Sequence, residues 1–214
     1  NWINGVSHDI RTPLSVVMGY SAQIEAEEEL PPECRKQAGI IRAQSQVIRD
    51  LVNDLNLTMR LDCEMQALRK ESIQPTVFLR QVAADFLNGG LAEGFELEMD
   101  LPETALPPIE ADPFLLRRAI NNLLTNCVRH NAPGGTIRLG ARCTGTNLVL
   151  FVRGGTAAGR GPVNADRQLD PDGGAPHGTG LRLVAQIAAT HGGTVQFEQG
   201  ADKGLCVSVV LPIH

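Results

Sequence analysis

A histidine followed at once by an acid, with a hydroxyl one helical turn on and then a proline, is a set of groups that can do covalent chemistry. The stretch "SHDIRTPL" places His8, Asp9, Thr12 and Pro13 in that order. When one ring nitrogen of an imidazole donates a hydrogen bond to a carboxylate, the other is left as an unprotonated nucleophile. Asp9 can fix the tautomer in this way, and the Thr12 hydroxyl can position a water or a substrate on the same side of a helix. Pro13 has no N–H and removes a helix bond to residue 9, a loss of ~3 kcal/mol in a helix interior, so the helix is expected to loosen or bend just past His8. Taken alone, His8 also reads as a solvated surface histidine.

Two further stretches carry polar chemistry. In "NNLLTNCVRHN", Asn122 and Asn126 are one turn apart on one helix face, with Arg129 and His130 a turn later. A carboxamide oxygen can ligate Mg²⁺ and a guanidinium can neutralise phosphate charge. The same spacing also suits a plain polar outer face. In "HGTGLRL", Gly178, Thr179, Gly180 and Leu181 open a helical pattern. The two glycines would let backbone amides approach an anion at the helix N-terminus, where the peptide dipoles favour negative charge, although a simple turn into a helix fits as well.

These groups must be held by two differently patterned halves. Ile3, Val6, Ile10, Val17, Tyr20 and Ile24 occupy a and d positions of a heptad, with Pro13 in one d site and His8 at f, farthest from the seam. The run "EAEEELPPE" reads as a helix end and turn. A second stripe follows at Ile41, Ile48, Leu51 and Leu55, widened by Val52 and Met59. A hairpin cannot bury both stripes by itself, which predicts a dimeric four-helix bundle. Beyond about Asp62 the pattern alternates: "QALRKESI", "FELEMDLP", "GTIRLGARC", "NLVLFVRG", "GTVQFEQG" and "LCVSVVLPI" read as strands. Helical patterns span Thr76 to Leu87, Pro113 to Arg129 and Gly180 to His191. The class expected is α+β: a helical hairpin over 1–66, then an α/β sandwich over 67–214 with helices on one face of a largely antiparallel sheet. Gly154 to Gly178 is too long and too rich in Gly, Pro and Asp for an ordinary connection and suggests a lid.

The chain has 214 residues and a formal net charge of -5. With no long Lys/Arg run, this argues against nucleic acid or an anionic membrane surface as the main partner, so a phosphate ligand would be held locally. Five unpaired-looking cysteines, Cys34, Cys63, Cys127, Cys143 and Cys206, suit a reducing compartment and small buried positions better than a disulfide framework. No apolar run is long enough for a membrane span, and a start at Asn1 rather than Met reads as a fragment of something longer.

"SHDIRTPL" resembles the H box of sensor histidine kinases of two-component signalling, H-[ED]-[IL]-R-[TS]-P-L, and the hairpin resembles their dimerisation and phosphotransfer domain. The stretch from "ADP" through "NNLLTNCVRHN" resembles the N box of the Bergerat (GHKL) ATP-binding fold, and "HGTGLRLVAQIAATHGG" its G2 box and closing turn. The resemblance implies His8 as phosphoacceptor, Asp9 as assisting base, and Asp9 with Thr12 as the pair that dephosphorylates a response regulator. It implies Asn126 as leading Mg²⁺ ligand with Asn122 behind it, Arg129 and His130 at the phosphate side, and Gly178, Thr179, Gly180 and Leu181 around the phosphates of ATP. The implied partners are a second copy of the chain and the receiver domain of a response regulator. The implied location is the cytoplasm, with membrane attachment only through segments absent from this sequence.

One position departs from the family. A D-x-G-x-G box, whose aspartate accepts the amino hydrogen of adenine, is expected after "NLVLFV", but Gly154 stands at the aspartate's place and the next acid is Asp166. Losing such a charge-assisted bond corresponds to ~1.5–3 kcal/mol, about ten- to a hundredfold in affinity. Arg182 replaces the second glycine of G-L-G-L, and Asp170 and Asp172 are the only acids between Arg167 and that box. Two readings stay open: a kinase with altered nucleotide binding, or a degenerate kinase acting as a response-regulator phosphatase or dimeric scaffold. A coiled-coil module fused to an unrelated domain would require the ordered boxes to be coincidence.

Overall fold

A computed structural model of the chain describes residues 2–62, 68–90, 94–131, 134–155, 179–199 and 204–213. It divides into two compact units, Asn1–Cys63 and Glu64–His214.

The first unit is a helical hairpin of α1 (Trp2–Ala26) and α2 (Pro32–Asp62). The acidic turn is closed by the Leu30 N–H donating to the Glu27 carbonyl (3.3 Å), and Pro32 opens α2, where its missing N–H removes no helix bond. α1 is continuous through Pro13, so the proline removes one backbone bond without ending the helix. The buried residues of the hairpin mix apolar Leu14, Ala38 and Leu61 with polar Ser21, Ser45, Asp54 and Thr58. Across it, the Arg42 guanidinium donates to both Glu25 carboxylate oxygens (2.6 and 3.3 Å), and Arg11 donates to Asn53 Oδ1 (2.9 Å). The heptad residues Ile10, Val17, Tyr20 and Ile24 of α1 and Ile41, Ile48, Leu51 and Leu55 of α2 are exposed.

In the second unit the described elements are β1 (Glu71–Ile73), α3 (Pro75–Asn88), β2 (Glu96–Asp100), β3 (Ile109–Ala111), α4 (Pro113–His130), β4 (Thr136–Thr144), β5 (Asn147–Gly154), α5 (Thr179–Thr190), β6 (Thr194–Gln199) and β7 (Leu205–Pro212). Their main sheet has the order β2-β4-β5-β7-β6. All its neighbours are antiparallel except β2 and β4, which run parallel with Glu96 opposite Thr136. The first strand expected from sequence is shorter than "QALRKESI" suggests and lies outside this sheet, paired with β3, which its three residues made illegible. Pro75 caps its length, since α3 begins two residues later.

Helix burial follows the apolar spacing. α4 buries Leu115, Leu116, Ala119, Ile120, Leu123 and Leu124, α5 buries Leu181, Leu183, Val184, Ile187 and Ala188, and the alternate residues Ile137, Leu139, Leu148, Leu150 and Val152 are buried in the sheet. Each large side chain removed from water contributes about 1.5–3 kcal/mol. Directly opposite Phe151, a methyl group on Gly140 would run into the Phe151 ring and the Asp100 carbonyl, so glycine lets the ring lie across β4. The Arg142 guanidinium stacks over that ring, 5.3 Å from its centre.

Candidate functional site

The two helices that carry the asparagines and the glycines are fastened to each other at their far ends. Asp112, buried, is the N-cap of α4: its Oδ1 accepts from the N–H groups of Phe114 (3.0 Å) and Leu115 (3.1 Å), and its Oδ2 from that of Arg69 (3.0 Å). The Asp112 N–H donates to His191 Nε2 (3.0 Å), so His191 Nδ1–H is the donor to the Ile187 carbonyl (2.7 Å). Both ring nitrogens thus have assigned roles. His191 ends α5 in a Schellman turn, with Gly192 at φ 76° and the Gly193 N–H reaching the Ala188 carbonyl (2.8 Å). A side chain on Gly193 would collide with the Val210 carbonyl of β7.

From this clasp α4 and α5 converge on Gly180. The Asn122 Nδ2 donates to the Arg118 carbonyl (3.2 Å). A methyl group on Gly180 would lie 2.6 Å from Asn122 Oδ1 and 3.7 Å from Asn126 Nδ2. Glycine is what lets the first turn of α5 approach both asparagines. Leu181 is buried and anchors that turn, whereas Arg182 points to the exposed side and Thr179 is the first residue of the helix. At the other end of α4, Arg129 is exposed and His130 half-buried. Burial, and then the neighbouring Arg129 charge, hold the His130 imidazole below its ordinary pKa. Of the expected lid, Gly154 belongs to β5 and Gly155 follows it, while residues 156–178, with Asp166, Asp170, Asp172 and Gly178, fall outside the described residues.

Mg²⁺ takes oxygen ligands, keeps several waters and is commonly held by one or two protein groups together with substrate phosphates. Carboxamide oxygens at Asn122 and Asn126, beside Gly180 in the first turn of α5, fit that donor chemistry. Among the described residues no cluster of three or more His, Cys, Asp or Glu offers an alternative metal site.

Asn131, a residue that sequence reasoning did not single out, closes the C-terminal end of α4. Gly154, buried at the end of β5 opposite Ile137, has no room for a side chain: a methyl group there would fall on the amide of Asn131, 3.0 Å from its Cγ. Asn131 is the C-cap of α4, and both its N–H (3.0 Å) and its Nδ2 (2.8 Å) donate to the Cys127 carbonyl. Asn131 directly follows His130, but its meeting with β5 is tertiary and leaves no local trace.

The remaining candidates belong to the other unit. His8 lies within α1, as do Asp9 and Thr12, whose side chains are on the exposed surface and are both engaged in polar contacts. The Ser15 hydroxyl donates back to the Arg11 carbonyl (2.8 Å) in the turn weakened by Pro13.

Residues 1–64 match the family described as His Kinase A (phospho-acceptor) domain, and residues 111–214 the family described as Histidine kinase-, DNA gyrase B-, and HSP90-like ATPase. A sensor histidine kinase of Bacillus subtilis, YvrG, is 27% identical over 98% of the chain and 37% of its own length, so the chain spans little more than a third of that relative. Among solved structures, full-length ShkA in complex with AMPPNP is similar with a TM-score of 0.72 and 26% identity, over 99% of this chain and 45% of that one. Histidine kinase ThkA in complex with response regulator TrrA shares the fold with a TM-score of 0.66 at 18% identity, over 99% of this chain and 60% of that one.

Proposed function

The chain belongs to the sensor histidine kinases of two-component systems, and on that premise we propose that it transfers the γ-phosphoryl group of ATP to His8 and from there to an aspartate of a response regulator. The observation that carries the reading is the convergence of Asn122, Asn126 and Gly180 at the start of α5 in the ATPase-type unit, on a chain whose other unit holds "SHDIRTPL".

In this reading residues 1–66 are the dimerisation and phosphotransfer hairpin and 67–214 the ATP-binding domain. Gly178, Thr179, Gly180 and Leu181 bring backbone N–H groups to the phosphates at the N-terminus of α5. Arg129 and His130 line the phosphate side, His130 as a neutral hydrogen-bonding group because of its lowered pKa. Mg²⁺ would be held by the Asn126 oxygen with Asn122 beside it, and supplies neutralisation of phosphate charge. A ring nitrogen of His8 attacks the γ-phosphorus in line; the N–P bond forms, the P–O bond to ADP breaks, and ADP leaves with the electron pair. Asp9 orients the imidazole and takes its proton. Positioning and electrostatics supply most of the rate in such a transfer. Asp9 and Thr12 then serve to position the water that dephosphorylates the regulator.

The exposed stripes of α1 and α2 support a homodimer formed through the hairpin. No helix among the described residues is long and apolar enough to cross a membrane. The reading places these units in the cytoplasm, with any anchor in segments outside this sequence. A second reading, a phosphatase or scaffold with weak nucleotide binding, is favoured by one observation, the glycine at position 154.

The test is incubation with γ-labelled ATP and Mg²⁺ beside a His8→Ala control. Label stable to base and labile to acid, on the parent chain alone, is the expected result. No label on either chain, while a working kinase labels alongside, refutes the kinase reading and leaves dephosphorylation of a phosphorylated receiver domain as the activity to assay.

A further inference from the structure

We infer that the Asn131 carboxamide reads the nucleobase, from the space that a side chain at position 154 would need, and that it admits 6-amino and 6-oxo purine nucleotides alike. The inference rests on the nucleotide-binding reading above and specifies its substrate class. Three observations carry it. Gly154 ends a buried strand, yet no side chain fits there because the Asn131 amide occupies the place. That amide is held rather than free, since Asn131 is bound to the Cys127 carbonyl through both its backbone and its side-chain nitrogen. It also lies at the end of the helix that carries Asn122 and Asn126. It stands five positions beyond Asn126, about 7.5 Å along the axis, a reach suited to a nucleoside with its phosphates at Gly180 and its base beyond.

The chemistry of the group decides what it reads. One Nδ2 hydrogen goes to Cys127, which leaves Oδ1 as an acceptor and the second Nδ2 hydrogen as a donor. Against adenine, Oδ1 accepts from the 6-amino group and Nδ2 donates to N1. Against hypoxanthine, Nδ2 donates to O6 and Oδ1 accepts from N1–H. Two bonds form in either case. A carboxylate has acceptors only and cannot donate to O6.

The experiment measures dissociation constants of Mg·ATP and Mg·ITP, which differ at the 6-position, for the full chain and for Asn131→Ala, Gly154→Ala and the double variant. The parent is expected to bind both within about threefold, and Asn131→Ala to weaken both about tenfold, the loss of one to two neutral hydrogen bonds. Gly154→Ala, which displaces the amide without removing it, is expected to weaken both in the parent, yet to change affinity by less than about twofold in the Asn131→Ala background, the coupling of two groups in contact. A merely structural role for Asn131 would move the melting midpoint without nucleotide and give no such coupling. A parent that prefers ATP by more than about thirtyfold (~2 kcal/mol), or an Asn131→Ala chain with both constants unchanged, overturns the inference. A parent that binds ATP while the inference fails leaves the function standing; a parent that binds neither nucleotide overturns both.

Discussion

Replacing Asp112 by alanine tests whether the clasp at the base of α4 holds the ATPase-type unit together. The side chain accepts three backbone N–H groups, from Phe114, Leu115 and Arg69. Loss of the helix cap costs about 1 kcal/mol, within 0.5–2. The Arg69 N–H loses its partner in a part-buried setting, another ~1–2 kcal/mol. The sum is ~2–4 kcal/mol. At about 2–4 °C per kcal/mol for a unit of this size, the midpoint should fall by ~5–15 °C. Asp112→Asn keeps one acceptor for the cap but turns an NH₂ toward Arg69 or the cap, and should lose about half as much. The bond from the Asp112 backbone to His191 survives both changes. Cys127 reports the outcome: it is half-buried in this unit and its surroundings push the thiol up to about 12, so a pulse of alkylating reagent across a urea series measures opening of the unit. A loss below ~0.5 kcal/mol for Asp112→Ala would refute the assignment of the clasp as a stabilising element.

Gly193→Ala should destabilise the second unit by more than Gly192→Ala. The first meets the Val210 backbone carbonyl, which cannot move aside; the second makes only an ordinary contact with Pro212 (3.7 Å) and carries the ~1 kcal/mol strain of a positive φ, and urea midpoints will rank them. Cys34 and Cys143 are exposed and should alkylate readily at pH 8, whereas Cys127, pushed up to about 12 by burial and then by Cys206, holds about one thiolate in ten thousand there and should stay unlabelled until the unit opens. Because the folded pKa of His130 is lowered, the unfolded chain takes up that proton first; the contribution to stability is present above about 6.5 and is lost as pH falls through the folded value. Urea midpoints between pH 7 and pH 5 should therefore fall less steeply for His130→Gln. Ile48→Glu places a charge in the exposed apolar stripe of α2 and should convert a dimer to a monomer by light scattering, with the helix content retained.

The elements that were legible in the sequence are those with a long period and local punctuation. Asp-Pro before α4, Pro75 before α3 and the glycine pair after α5 each act through backbone geometry within a turn, which a single sequence displays. The asparagine pair and Gly180 were legible as helix-face chemistry, but their mutual approach required the packing of α4 on α5. β3 escaped because three residues are too few to establish alternation. The parallel pairing of β2 with β4 escaped because direction depends on how the chain crosses between strands, which the side-chain pattern does not encode. Asn131 escaped for the same kind of reason: its partner, Gly154, is a residue with no side chain at the end of another element.

Strand β5 is hydrogen-bonded to β4 on one side and β7 on the other, and Leu148 to Val152 are buried on both faces. Its amides should therefore exchange with deuterium only when the whole unit opens, later than those of the edge strands β2 and β6. Asn131 leans on the last residue of that slow strand, while Gly180 lies in the first turn of a helix, where fraying exposes N–H groups on a much shorter timescale. The two ends of the proposed site thus belong to different kinetic classes. The base would meet a surface already set before it arrives, and the phosphates one that becomes ordered around them.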